Sequence, residues 1–224
     1  MPQLPLDLGF RPALGRADFL IAPCNSAAIA WIDRWPYWPA PALALWGPAG
    51  SGKTHLLEVW RARSKAAAIA APALTSAALP QLLGAARTAA IDDAEGADEE
   101  ALLHLYNMLA ERQGHLLLAS REPPARWTIG LADLRSRLLA APAIAVEAPD
   151  DALLGALLVK LFADRQLRIS EDLIAYLLPR IERSFAAAQM VVAALDEAAL
   201  AGQRAVTVRL ARDILNRDRS PDLL

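Results

Sequence analysis

The run Gly47-Pro48-Ala49-Gly50-Ser51-Gly52-Lys53-Thr54 constrains the chain more than any other stretch. A glycine, four free positions and then Gly-Lys-Thr is the spacing of a phosphate-binding loop, and that loop works only between a strand and a helix. Both neighbours suit it. Leu43-Ala44-Leu45-Trp46 reads as a buried strand, and after the loop and His55 the apolar residues Leu56, Leu57, Val59 and Trp60 recur at helical spacing. The glycines let successive backbone amides approach phosphate oxygens, and the helix opening near Lys53 adds its positive end. Lys53 supplies an ammonium for the β- and γ-phosphates, and the Thr54 hydroxyl is a magnesium ligand.

A second half of such a site is legible downstream. Thr88-Ala89-Ala90-Ile91-Asp92-Asp93 ends an apolar strand on two carboxylates. A strand-end aspartate holds magnesium through its water shell and the next acid orients the attacking water, which assigns Asp92 to the metal and Asp93 to the water. The strand 115–120 ends on Ser120, and because ligands meet the carboxyl ends of parallel strands, Ser120 points toward the γ-phosphate region or is an ordinary strand-end serine.

Further strands are expected over 66–71 and 143–146, and helices over 27–35, 76–86, 98–112 and 131–139. Asn25 and Ser26 offer an N-cap for the first helix. Phe19 and Ile21, just upstream, either wall a nucleotide base or simply pack. Arg135 and Arg137 near the end of the helix 131–139 either complement its dipole or reach a neighbour's phosphates. From Pro149 onward the pattern is helical throughout, over 150–164, 170–178, 184–201 and 207–216. Arg209, Arg212, Arg217 and Arg219 in and after the last helix read first as a solvated face, and second as a DNA contact.

Composition narrows the class. In 224 residues there are 23 basic and 25 acidic side chains, so no strong field draws the chain to nucleic acid. A single cysteine, Cys24, excludes an internal disulfide, and His55, His104 and His115 lack ligand-spaced partners. No charged start precedes an apolar core and no apolar run spans a bilayer, so a cytoplasmic protein without a membrane partner is expected. The opening Gln3-Leu4-Pro5-Leu6-Asp7-Leu8 is apolar for a tail. Its alternating Leu4, Leu6 and Leu8 suit an edge strand or an extended docking peptide.

Phosphate loop, paired aspartates, polar strand tip, arginine-bearing helix and four-helix lid, in that order, resemble the AAA+ ATPases. Asp18-Phe19-Leu20-Ile21 with Asn25, Ile91-Asp92-Asp93, Ser120-Arg121-Glu122-Pro123-Pro124 and Leu134-Arg135-Ser136-Arg137-Leu138 are similar to phrases of the family of the bacterial replication initiator DnaA. The resemblance covers roughly residues 15 to 216. It implies an α/β AAA+ P-loop NTPase module with a five-stranded parallel sheet, followed by a small all-α lid. The domains would be 1–14 as an extended peptide, 15–149 as the nucleotide-binding part and 150–224 as the lid.

The resemblance also implies roles. Residues 47–54 with His55 bind the phosphates of ADP or ATP, Thr54 and Asp92 hold Mg2+, Asp93 serves hydrolysis, and Ser120 takes the sensor position. Phe19, Ile21 and Asn25 lie where adenine is walled, and Arg137 matches an arginine finger offered in trans. The family has a nucleotide-touching arginine in the third lid helix where this chain has Ala186, leaving Arg183 as a substitute and implying weak ATP turnover of its own. The sequence stops where the initiator continues into its DNA-reading domain, and Gln3, Leu4, Leu6 and Leu8 look like a sliding-clamp-binding peptide. The implied activity is clamp-bound stimulation of ATP hydrolysis on DnaA. DNA would then be met mainly through the clamp, and self-association is an open possibility of the family. A helicase loader working through its own turnover is the alternative. A small-molecule kinase on the same loop is disfavoured by the lid.

Overall fold

The structure is a computed structural model that describes residues 21–217. Gln3, Leu4, Leu6, Leu8, Phe19 and Arg219 lie outside the described residues. Five parallel strands form one sheet: β1 (Ala42–Trp46), β2 (Ala67–Ala70), β3 (Thr88–Asp92), β4 (His115–Ser120) and β5 (Ala143–Ala145), in the order β2-β3-β4-β1-β5. Helices α1 (Pro23–Asp33), α2 (Lys53–Ser64), α3 (Leu79–Leu83), α4 (Glu99–Glu111) and α5 (Ala132–Ala140) cover its faces. Then come α6 (Asp151–Asp164), α7 (Glu171–Leu177), α8 (Phe185–Ala201) and α9 (Val208–Arg217), with no strand among them.

Side chains of a strand point alternately to the two faces, so an uninterrupted apolar strand feeds two cores at once. In β1, Ala42 and Ala44 pack with Ile91, Leu102, Leu105 and Leu116 under α3, α4 and α5. Leu43 and Leu45 turn to the other face, with Leu117, Ile32, Leu56 and Trp60 under α1 and α2. The last four helices bury a core of their own, built around Leu154, Leu158, Phe162, Leu173, Val192 and Leu195.

The proline-rich connection into β1 is held by aromatic packing. Trp38 stacks on Trp60 with ring centroids 5.4 Å apart, and His115 meets Trp38 edge-on at 5.4 Å. The Trp38 indole N–H donates to the carbonyl of Trp31 at 2.7 Å. Burial pushes the His115 imidazole below its ordinary value, against a smaller opposing effect of a hydrogen bond with the Pro36 backbone.

Two elements differ from the sequence expectation. The first helix begins at Pro23, two residues before Asn25. Proline suits a first helical position because its missing N–H would be unpaired there anyway. Asn25 therefore sits inside the first turn and its Oδ1 accepts the Ala22 N–H at 2.9 Å. The helix expected over 76–86 shortens to Leu79–Leu83, ended by Gly84 at φ 51°.

Candidate nucleotide site

The loop grows out of β1 and is fixed at both ends by backbone. The Gly47 N–H donates to the Ser120 carbonyl at 3.2 Å, tying the loop's first residue to the end of β4. A Cβ on Gly47 would stand 2.0 Å from the carbonyl oxygen of Val146, so nothing larger fits between the loop and the segment after β5. Gly50, at φ +72°, occupies the left-handed region, and a Cβ there would lie 2.2 Å from Cβ of Ser184. Pro48 and Ala49 are exposed at the apex, Ser51 is buried, and His55 is half-buried on the first turn of α2.

Lys53 opens α2 and is almost fully buried. Its ammonium donates to the carbonyls of Gly47 and Pro48, each at 2.8 Å, and to Ser51 Oγ at 3.5 Å. Burial pulls its pKa down, and the carboxylates of Asp92, Asp93 and Glu95 oppose that shift. The Thr54 hydroxyl donates to Asp92 Oδ2 at 2.6 Å, closing the gap between the first turn of α2 and the tip of β3. Asp93 follows in the left-handed region at φ 49°, exposed, with its N–H donating to Asp92 Oδ1 at 3.1 Å. The donor set fits a nucleotide phosphate with Mg2+. The loop's backbone amides and the Lys53 ammonium would meet the anion, and the paired Thr54 hydroxyl and Asp92 carboxylate would suit a hard cation held through few protein ligands.

The remaining predicted residues divide. Ser120 lies at the loop but is fully buried, and its hydroxyl donates to the Glu122 carbonyl at 2.8 Å rather than facing the loop. Asn25 is also buried and accepts the N–H of Ala22, whereas Ile21 is largely exposed. Arg183 forms a two-pronged ion pair with Asp151 at the start of α6, Nε to Oδ1 at 2.9 Å and Nη2 to Oδ2 at 3.0 Å. That pair ties the turn before α8 to the start of α6. Ala186 is exposed at the second position of α8.

Arg137, in the last turn of α5, folds back along its helix. Its guanidinium donates to both carboxylate oxygens of Asp133, at 3.0 and 3.2 Å, and lies 5.4 Å above the Tyr106 ring. Arg135 on the same helix is exposed. Tyr106 is buried, which raises its pKa against a smaller opposing effect of Arg137.

Sequence reasoning missed the lid's direct contact with the loop. Ser184 caps α8, accepting the Ala187 N–H at 3.0 Å, while the Phe185 N–H donates to the Gly50 carbonyl at 2.9 Å. The Phe185 ring also lies against Gly52. The cap was visible as a helix start, but no local signal says which surface that start touches. Glu95 was missed in the same way; it accepts the Arg121 N–H at 2.8 Å and steadies the turn after β4. Among the described residues no helix is long and apolar enough to cross a membrane.

Residues 151–215 match the family described as Hda, lid domain. Solved structures share the fold at low identity. Domain III of the Thermotoga maritima replication initiation protein DnaA aligns with a TM-score of 0.78 at 17% identity, over 93% of this chain and 97% of that one. The AMPPCP-bound DnaA from Aquifex aeolicus aligns at 0.68 and 18%, over 82% and 65% respectively. A Thermotoga maritima RuvB mutant aligns at 0.69 and 13%, over 86% and 67%. A nucleotide analogue in the Aquifex structure is consistent with nucleotide binding on this fold. Residues 151–215 thus carry an Hda-type lid, and the five-stranded sheet with its phosphate loop has the fold of the DnaA and RuvB structures.

Proposed function

We propose that this protein is a regulator that binds ADP or ATP with Mg2+ at residues 47–54, Thr54 and Asp92, and stimulates hydrolysis of ATP held by DnaA. The observation that carries this reading is the joining of an Hda-type lid to a DnaA-like sheet on one chain. Bound nucleotide supplies the phosphate charge that sets the lid against the loop. Lys53 and the loop amides bind that charge, the Thr54 and Asp92 oxygens, already joined by a hydrogen bond, hold the metal, and Asp93 orients the attacking water. Ala186 offers no charge to the phosphates and Arg183 is engaged by Asp151, which favours a resident nucleotide over rapid turnover by this chain itself.

Hydrolysis then occurs in a neighbour. Arg137 leaves Asp133 and enters the initiator's site, where an arginine given in trans is worth about three to five orders of magnitude in rate. Gln3, Leu4, Leu6 and Leu8 hold the protein on the DNA polymerase sliding clamp, so that DNA is met through the clamp.

The test follows phosphate release from ATP-loaded DnaA with clamp on DNA, adding wild type, Arg137→Ala, or Gln3→Ala with Leu4→Ala. The expected result is acceleration by wild type and loss in both variants. No acceleration by wild type sinks the regulator reading. Full activity in Arg137→Ala or in the tail variant removes that site assignment alone.

A further inference from the structure

One helix holds α5 at both of its ends. Glu99, the first residue of α4, sends its carboxylate across to the loop that enters α5 and accepts three backbone hydrogen bonds. The Gly130 N–H donates to Oε1 and Oε2, each at 3.0 Å, and the Leu131 N–H donates to Oε2 at 2.9 Å. A Cβ on Gly130 would meet Glu99 Oε2 at 3.6 Å, an ordinary van der Waals contact, so the carboxylate is held by its hydrogen bonds and not by crowding. Leu131 is the residue that caps α5, so its amide is among the donors that a helix start leaves unpaired, and a carboxylate is favoured there by the helix dipole as well.

Seven residues along α4, on the same face, the buried Tyr106 lies under the Arg137 guanidinium near the other end of α5. Leu134, between the two grips, and Leu138, just past the second, are buried in one core with Leu102, Leu105 and Leu109 of α4. The rotation of α5 about its axis and its position along that axis are therefore constrained by α4, together with the turn 124–126 that also packs on α5. So is the direction in which Arg137 leaves the surface.

We propose that Glu99 is a positioning residue for Arg137, fixing α5 so that its guanidinium is presented at the correct distance to a nucleotide on a neighbouring protein. This rests on the finger role given to Arg137 above. Without the Glu99 carboxylate the Gly130 and Leu131 amides turn to water, and the entry of α5 shifts. A displacement of about 1 Å at a group that aligns a reaction can cost on the order of a hundredfold.

The experiment titrates the full chain into ATP-loaded DnaA with clamp on DNA and reads the maximal rate of phosphate release separately from the half-saturating concentration. Glu99→Ala is expected to lower the maximal rate about 10- to 100-fold with half-saturation within about twofold of wild type. Glu99→Gln, which keeps one acceptor oxygen, is expected to fall between the two, and it serves as the test if Glu99→Ala does not fold. A merely structural role would reduce the competent fraction, raising apparent half-saturation and leaving the maximal rate alone. That result, or an unchanged maximal rate in Glu99→Ala beside an inactive Arg137→Ala, overturns the positioning role and leaves the finger standing. A fully active Arg137→Ala overturns the finger itself and Glu99's role with it.

Discussion

Phe185 and Gly50 share a single backbone hydrogen bond, 2.9 Å from the N–H of the first residue of α8 to the carbonyl at the apex of the phosphate loop. It ties the lid directly to the loop. Because it is made by backbone, its strength does not depend on side-chain charge, and it joins the lid to the backbone segment that would close on phosphate.

Phe185→Pro and Phe185→Ala separate this bond from the aromatic ring. Proline is well suited to the first position of a helix, and the extended Ser184 before it (φ −143°, ψ 150°) is the backbone that proline requires of its predecessor. Both variants lose the ring against Gly52, but only the proline loses the donor. Amide exchange across residues 47–53 is expected to be roughly fivefold faster in Phe185→Pro than in Phe185→Ala, the equivalent of about 1 kcal/mol. Equal rates would mean that the bond contributes nothing.

Gly50→Ala introduces a Cβ at φ +72°, 2.2 Å from Cβ of Ser184. The expected cost is roughly 1–3 kcal/mol, read from denaturant unfolding. Ser184→Gly costs only a few tenths of a kcal/mol at a cap, by the usual scale. Added to Gly50→Ala, it should recover the steric part of the loss, because the two positions touch and their effects are not additive. Strictly additive losses would count against a direct clash.

His115 makes stability depend on pH with a defined sign. Its folded pKa lies below the ordinary 6.5, so between those values the unfolded chain binds the extra proton. Stability is therefore fully present above 6.5 and falls as pH drops through the window below it, levelling once the folded form also protonates. Denaturant midpoints measured at about pH 7.5 and about pH 5.5 should show this fall. His115→Gln should flatten it, and a slope unchanged by that substitution would assign the dependence elsewhere.

Trp60 is fully buried between Trp35 and Trp38, and its indole nitrogen has no hydrogen-bond partner among the described residues. Trp60→Ala is expected to cost about 3–5 kcal/mol. Trp60→Phe also removes an unpaired buried donor, so it should cost well under half of that in the same unfolding measurement.

Arg137→Ala should barely change folding. Its pair with Asp133 is partly exposed, and such pairs contribute roughly 0–1 kcal/mol. Unfolding midpoints for Arg137→Ala and Asp133→Ala are expected to lie close to wild type. A large loss of stability in Arg137→Ala would mean that its packing on Tyr106 carries structural weight, and functional losses in that variant would need reinterpretation.

The sheet was legible because its strands are short apolar runs bounded by glycine, proline or charge. The loop residues were legible because residue type and spacing are fixed by phosphate chemistry. What escaped was the direction of side chains that depend on distant backbone. Asn25 looked like a cap and proved to be an inside residue of a helix started by Pro23. Ser120 was open between facing the γ-phosphate region and serving as an ordinary strand-end serine, and its hydroxyl donates to the carbonyl of Glu122 two residues later. The partner of Arg183 was equally hidden, since Asp151 stands 32 residues away in the chain. The grips of Glu99 on Gly130 and of Phe185 on Gly50 have no sequence signature, since one or both partners are main chain.

The strand order β2-β3-β4-β1-β5 has a consequence for synthesis. The strand that leads into the loop is made first and pairs with β4 and β5, which emerge roughly 70 and 100 residues later. Until residue 120 has left the ribosome, β1 has two bare edges and no partner in the finished sheet. A nascent chain in that condition is open to pairing with other chains, the hazard of unpaired strand edges generally. Fragments ending before β4 should therefore be recovered as aggregates or bound to chaperones, even though they carry the whole phosphate loop.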